Sequence, residues 1–447
     1  MFKGRREALL NSLLENNKDR IYEIINNMYP IDIAIILEEF DNETLLKFYR
    51  LTDDELMSQI VEQANEDLQI RIIKLLDFQA IVHLFSYMSN DDIADILGNL
   101  PIKMRKDLLN LMKVGDFKQL QELLGYEEDS AGGIMTTEYI ALSGQLTMLE
   151  VLKKIKEIGP RTEVIETIFV LNKRKQLIGT ADLRDILSAA DGEKLFNIMD
   201  DNIISVQPEV DQEEVSLLVS KYDLKAIPVV NRKNSLLGII TVDDIIDVIV
   251  EEQTEDMLRL GGVSKEERVD SSLLTSVKKR LPWLFINLGT AFLAAFTVGL
   301  FEDVIVQVVA LAAAMPIVAG MGGNAGTQTL SVVVRSIALG EVELKKNWKL
   351  VFKEIALGII NGGATGIITG IILYMKYGNP YLGFIIFAAM IGNLLIAGFF
   401  GFLIPLLLKR IGIDPALASA IFLTTATDVF GFFLFLGLAK MFLPYLL

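Results

Sequence analysis

The chain has 447 residues, 51% of them apolar, with 42 basic and 58 acidic side chains and a net charge of −16. It contains no cysteine and a single histidine, His83, which excludes disulfides and thiolate metal sites and leaves little for zinc or copper. So acidic a balance disfavours nucleic acid and anionic lipid as partners and favours cations.

The charge is unevenly spread. Residues 1–280 carry 33 basic and 51 acidic side chains and residues 281–447 carry nine and seven, so the net charge is −18 in the first part and +2 in the second. A chain of this length has room for about three domains. The opening "MFKGRREALLNSLLENNKDR" is too charged for a signal peptide. The lack of cysteine fits a cytosolic soluble part.

Residues 1–129 read as short amphipathic helices joined by polar turns. "DIAIILEEFDNETLLKFYRL" from Asp32 recurs 60 residues later as "DIADILGNLPIKMRKDLLNLM" from Asp92, the self-similarity of a stacked helical array. His83, in "QAIVHLFSYM", reads as a packed helix residue. Between residues 130 and 252 the period changes. "IFVLNKRKQLIGTADLRDIL" from Ile168 and "IPVVNRKNSLLGIITVDDII" from Ile227 align without a gap at an offset of 59. Each reads strand, polar turn, strand and helix start, which predicts two α/β modules side by side. The shared ending, Gly179 to Ile186 and Gly238 to Ile245, resembles that of paired cystathionine-β-synthase (CBS) domains. That resemblance implies a regulatory module able to hold ATP or another adenine nucleotide, with Asp185 and Asp244 as ribose contacts.

The exit from the second module, "TVDDIIDVIVEEQTEDMLRLGG", places Asp244, Asp247, Glu251 and Glu255 on one helix face, with Asp243, Glu252 and Asp256 beside them. Asp211, Glu213 and Glu214 open the preceding helix and Asp223 closes it, while Asp91, Asp92 and Asp95 cluster in the first region. Taken singly, each carboxylate reads as solvated or as complementing a helix dipole. Clustered and without His or Cys, they suit Mg²⁺, Ca²⁺ or Mn²⁺, and their mutual repulsion describes a sensor that closes when the ion is abundant. Residues 253–280 are expected to form a connecting helix that carries this motion onward.

Five apolar segments follow within residues 281–447, near 281–300, 304–338, 352–375, 381–408 and 416–443. The basic stretches "SVKKR", "EVELKKNWKLVFK" and "LKRIGIDP" alternate with "FEDV" and "KYGNP". By the positive-inside rule the N-terminal part is cytoplasmic and the C-terminus extracytoplasmic. In the second segment Asn324, Thr327, Gln328, Ser331 and Arg335 recur on one face, and in the fifth Thr424, Thr425, Asp428 and Gly431 do the same. A carboxylate at the centre of a lipid-facing helix costs roughly 2.5–3.5 kcal/mol, so Asp428 marks a functional site. One aspartate per chain within an apolar span does not make an aspartyl protease, and residues 281–447 contain no histidine to activate a membrane serine. A hydrophilic path fits better than catalysis.

"PIVAGMGGNAGTQTLSVVVRSIALGE", followed by "ATDVFG" in the last span behind a helical repeat and a CBS pair, resembles the MgtE family of magnesium channels over essentially the whole chain. The resemblance implies a multidomain protein with an all-α domain, a CBS pair, a connecting plug helix and a five-helix transmembrane bundle in the inner membrane. It implies a homodimer with the pore at the subunit interface and closure by cytoplasmic Mg²⁺. Residue by residue, it implies Asp428 as the selectivity carboxylate, with Gly323 and Gly431 nearby. It also implies Asp211, Glu213, Asp223, Asp244, Asp247, Glu252 and Glu255 as regulatory acids. Thr327 and Ala420 stand where some members have asparagine. The expected function is Mg²⁺ uptake; a proton-coupled exporter and a Mg²⁺ sensor without transport are the alternatives.

Overall fold

From Asn17 to Lys113, every twelfth residue starts a helix. The computed structural model describes residues 2–159, 162, 164–265, 267, 269, 271–342 and 348–447, without the side chains of 2, 3, 114–116 and 417–419. After α1 (Phe2–Leu14) come α2 (Lys18–Ile25), α3 (Pro30–Glu38), α4 (Asn42–Leu51), α5 (Asp54–Glu62), α6 (Glu66–Leu75), α7 (Phe78–Phe85), α8 (Asn90–Gly98), α9 (Ile102–Leu109) and α10 (Val114–Leu123). Asn17, Asp41, Asp53, Asn65, Asp77 and Ser89 each accept a backbone N–H from the following turn. This satisfies donors that a helix start leaves unpaired. Tyr29, Pro101 and Lys113 hold the remaining starts without a side-chain cap.

Each helix from α3 to α8 packs on the one two places further along. The 60-residue recurrence is five of these twelve-residue steps: α3 buries Ile33, Ala34, Ile36 and Leu37, and α8 buries Ile93, Ala94, Ile96 and Leu97. His83 is not packed. Its side chain is 58% exposed on α7, with Nε2 3.2 Å from Asp54 Oδ2, because it falls on the outer face of its helix.

The α/β region repeats at the level of register. After β1 (Ala141–Ser143) and α11 (Met148–Ile158), β2 (Thr167–Leu171) pairs antiparallel with β3 (Leu177–Asp182), which leads into α12 (Leu183–Ser188). After α13 (Leu195–Ile198) and α14 (Gln212–Tyr222), β4 (Ala226–Val230) pairs with β5 (Leu236–Thr241), which leads into α15 (Val242–Leu260). Val170 faces Gly179 and Val229 faces Gly238, with a bulge one residue later in both hairpins. The two glycines are required by a reciprocal exchange. Thr136, ahead of the first module, bonds β5 of the second, and Asp200, ahead of the second, bonds β3 of the first. A Cβ at Gly179 would lie 2.6 Å from Met199 Sδ, and one at Gly238 2.6 Å from the Thr136 carbonyl oxygen.

The chain divides into Met1–Val248 and Ile249–Leu447. In the second unit the expected connecting helix is interrupted. α15 ends at Leu260, Gly261 and Gly262 follow with Gly262 at φ 71°, and a new helix, α16 (Leu273–Gly299), is capped by Ser272. Glycine at positive φ is the ordinary way to stop a helix. The short α17 (Glu302–Gln307), α18 (Ala310–Ala338), α19 (Trp348–Tyr377), α20 (Pro380–Arg410), α21 (Pro415–Met441) and α22 (Leu443–Leu446) complete it. Residues 266, 268 and 270 of the expected connector, and 343–347 of the basic loop "EVELKKNWKLVFK", lie outside the described residues.

Among the described residues four helices are long and apolar enough to cross a membrane: Leu273–Gly299, Trp348–Tyr377, Pro380–Arg410 and Ala420–Met441. α18 is 29 residues long, but its glycines and polar side chains dilute its apolar character. α20 is the central element, packed on α18, α19 and α21. Gly358, Gly362, Gly366 and Gly370 of α19 lie on the α20 backbone; a Cβ at Gly362 would be 2.7 Å from the Ile391 Cα. This is the small-xxx-small contact by which membrane helices approach closely.

Candidate ion path and acidic cluster

The five polar residues predicted to share one face of α18 lie on its open face. Asn324, Thr327, Gln328, Ser331 and Arg335 are exposed, whereas Gly322, Gly326, Leu330 and Val333 are buried against neighbouring helices. On α21, Thr424 is exposed and Thr425 and Asp428 are half-buried. Their hydroxyls are turned to their own helix: Thr424 donates to the Ala420 carbonyl at 3.0 Å and Thr425 to that of Ile421 at 2.7 Å. Such back-bonding leaves the hydroxyl oxygens as acceptors. α18 and α21 run antiparallel: Gly326 meets Leu423, and Gly322 and Gly431 meet the same side chain further along. Asp428 therefore lies level with Gly323 and Asn324. Gly323 has open space where a Cβ would point.

Gly431 does not line this face. It is buried, and a Cβ there would lie 2.6 Å from Asn393 Oδ1, so its role is close packing. Asn393 is the residue that sequence reasoning missed. It is fully buried on α20, and its Nδ2 donates to the Val318 carbonyl of α18 at 2.7 Å. The available signal was the lone side-chain amide of a 31-residue apolar helix.

In the first unit, α5, α8, the segment at Glu138 and the start of α15 bring carboxylates together. Burial, followed by the charges of Asp92, Asp91 and Glu138, raises Glu62 to about 7. Burial and the charges of Asp91 and Asp92 raise Glu138 to about 7 as well. Asp92 rises to about 6 through burial and then Asp91, and Asp244 to about 6 through burial and then Asp91 and Asp243. Asp91 rises chiefly by burial, and its Oδ1 is buried without a hydrogen-bond partner. Asp95 rises for the same causes, although its exposed surface lets solvent screen part of the effect. Among the described residues no three carboxylates converge as a ready-made metal site. The cluster is crowded but still spread.

The other predicted acids are dispersed. Asp211 caps the start of α14 and Asp223, at φ 52°, closes its end, roughly 18 Å apart at 1.5 Å per residue. Glu213 is half-buried on the first turn of α14 and Asp247 is exposed on α15. Asp244 accepts the Thr241 hydroxyl at the head of its own helix, while Asp185 is exposed on α12. Glu252 and Glu255 fall in the second unit. Glu255 is buried and ion-paired with Arg259 and, at 3.4 Å, with Lys265. Arg259 also pairs with Asp414, whose carboxylate caps α21 by accepting from the Ala416 amide at 2.7 Å. Arg280 Nη2 lies 2.8 Å from the buried Glu267, which ties the stretch after α15 to the base of α16. Neither Arg259 nor Asp414 was singled out in the sequence, because an i,i+4 Glu–Arg pair and an Asp-Pro helix start are commonplace.

Three family models match in succession: an MgtE intracellular N domain over residues 28–129, CBS domains over 131–192 and 195–251, and a divalent cation transporter over 315–438. The magnesium transporter MgtE of Bacillus subtilis is 33% identical over 434 residues, 96% of each chain. The chain belongs to the MgtE family of magnesium transporters. The Thermus thermophilus member is 30% identical over 98% of both chains. The chain also matches the crystal structure of the soluble part of a magnesium transporter, at 26% identity and a TM-score of 0.53 over 56% of this chain and 99% of that one. The cytosolic domain of the Mg²⁺ channel MgtE in complex with ATP matches at 29% identity and a TM-score of 0.52, over 54% and 99%. A membrane transporter with a CBS pair and at least four apolar spans is thus the coarse identity.

Proposed function

We propose that the chain conducts Mg²⁺ as a homodimer, with the path walled by α18 and α21 and selected at Asp428. The observation that carries this reading is the exposed polar face Asn324–Thr327–Gln328–Ser331 level with and below Asp428. A polar face on a helix at membrane depth needs a watery cavity or a protein partner rather than lipid. A second copy across a two-fold axis would supply both, and its own Asp428 would bring the charge to −2 against the ion's +2. Mg²⁺ dehydrates reluctantly and keeps several waters, so few protein ligands suffice.

Closure by cytoplasmic Mg²⁺ follows from the acidic cluster. Burial, and then the neighbouring charges, push these carboxylates toward neutrality, and a divalent ion that replaces their protons relieves both costs. The cluster sits at the head of α15, whose other end is ion-paired through Arg259 to the capping residue of α21. On this reading α18 spans as the fifth crossing helix, the N-terminus is cytoplasmic and the C-terminus outside. An adenine nucleotide at the CBS pair is supported by the ATP-bound relative, with exposed Asp185 the better placed of the two aspartates.

Mg²⁺ uptake into proteoliposomes at varied internal Mg²⁺ and pH tests the reading. Asp428→Ala should abolish uptake while leaving a folded dimer. Normal uptake in that variant sinks the pore assignment; collapse of a pH gradient with transport points to proton coupling, and Mg²⁺-dependent closure without uptake in the native protein points to a sensor.

A further inference from the structure

We infer that Asn393 is a positioning residue for the ion path, holding α18 and α21 at the separation on which Asp428 depends. This inference rests on the reading of those two helices as the walls of the path. Asn393 is fully buried on α20, and its hydrogen bond goes to the Val318 backbone of α18.

The geometry is that of a wedge. The amide of Asn393 lies between Gly322 of α18 and Gly431 of α21, and at both positions a Cβ would overlap it. At Gly431 the distances to Oδ1, Cγ and Nδ2 would be 2.6, 2.8 and 2.9 Å. Both helices therefore rest directly on one planar group. Gly322 immediately precedes Gly323 and Asn324 on the open face, and Gly431 lies one turn beyond Asp428. A change in the thickness of that group moves the two walls relative to each other at the level of Asp428.

The hydrogen bonding is lopsided. Nδ2 is held by the Val318 carbonyl, but Oδ1 is fully buried without a partner. An unpaired buried acceptor is costly, and a leucine of similar volume would avoid the cost. Stability alone thus gives no reason for an amide here. Its donor instead fixes the axial register of α20 against α18, and its flat face lets two glycine backbones approach where a branched side chain would hold them apart. Close tolerances matter because displacements of the order of 1 Å in a positioned group cost orders of magnitude in function.

The test is a set of variants in the full-length protein, reconstituted and normalised to folded transporter. Asn393→Ala should lower Mg²⁺ uptake by about tenfold or more and narrow the preference for Mg²⁺ over Co²⁺ in competition, a readout that a general loss of stability would leave unchanged. Gly431→Ala should impair uptake in the native background and do less harm when combined with Asn393→Ala, since the new methyl then enters vacated space. If Asn393→Ala does not fold, the same pair of measurements on Asn393→Ser decides. Unchanged uptake and ion preference in the folded Asn393 variant, or an equal effect of Gly431→Ala in both backgrounds, overturns the inference. Asp428→Ala is run alongside. If that variant still transports, the path itself is misassigned; if it does not, failure of the Asn393 set counts against Asn393 alone.

Discussion

Mg²⁺ binding to the acidic cluster of the first unit should release protons, and the release should fade as pH rises. The perturbation is a change of pH from 6.5 to 8. Glu62 and Glu138 stand at about 7 and Asp92 and Asp244 at about 6, against ordinary values of 4.5 and 3.8. At pH 6.5 these four groups hold roughly two protons between them, and at pH 8 about a fifth of one. The raised values mean that the folded cluster carries no penalty below about pH 4, where folded and unfolded chains are both protonated. The penalty grows as pH rises and is complete above about 7, so without divalent ions the cluster is more stable at pH 5 than at pH 8. A divalent ion that needs the ionised forms must displace the protons, and its apparent affinity should weaken by one to two orders of magnitude between pH 8 and pH 6. Titration calorimetry on the purified protein in two buffers of different ionisation enthalpy measures the release directly. We expect one to two protons per cluster filled at pH 6.5 and almost none at pH 8. Equal heats in the two buffers at pH 6.5 would refute the reasoning, since the ion would then be binding elsewhere or through water alone.

The other expectations concern the second unit and Asp428. Arg259→Met removes the cation shared by buried Glu255 and Asp414; with Lys265 still at 3.4 Å, the loss should be about 1–3 kcal/mol, less than for a fully buried pair. It should appear as a lower unfolding temperature and as a shift in the internal Mg²⁺ needed to stop uptake; an unmoved inhibition curve would mean that α15 and α21 are not coupled through it. Gly362→Val inserts a branched side chain where even a Cβ would be 2.7 Å from the Ile391 Cα. It should cost at least 1–3 kcal/mol and reduce the yield of folded protein, and wild-type thermal stability in that variant would contradict the packing. Asp428→Ala should leave thermal stability near that of the parent while removing Mg²⁺ uptake; loss of both together would recast the carboxylate as a packing group.

Much of the first unit's architecture was legible because it is written in local patterns. The offset of 59 between the two α/β modules survives down to the matching bulges after Val170 and Val229, since strand register follows side-chain alternation and turn length. The 60-residue recurrence was also visible, but its true step was not read. Asp41, Asp53, Asn65, Asp77 and Ser89 stand twelve apart as caps, a signal that was present in the sequence and diluted by the uncapped starts at Tyr29, Pro101 and Lys113. The connector was misread as one helix because its charge pattern continues past Leu260, whereas two adjacent glycines interrupt the backbone.

The sequence alone determined composition, spacing and cost: which segments are apolar, which carboxylates are close along the chain, and that Asp428 is too expensive to be idle in a membrane. Those properties depend on single residues and near neighbours. Tertiary structure decided which polar groups share a face and which only share a stretch of chain. It turned Gly431 inward against Asn393, drew Asp91, Asp92 and Asp244 together with Glu62 and Glu138, and left Asp211 and Asp223 at opposite ends of α14. It also joined Arg259 to Asp414 across 155 positions of sequence. The reason is physical: a charge or an amide acts through its distance to other groups, and distances between residues far apart in sequence are set only when helices and sheets pack.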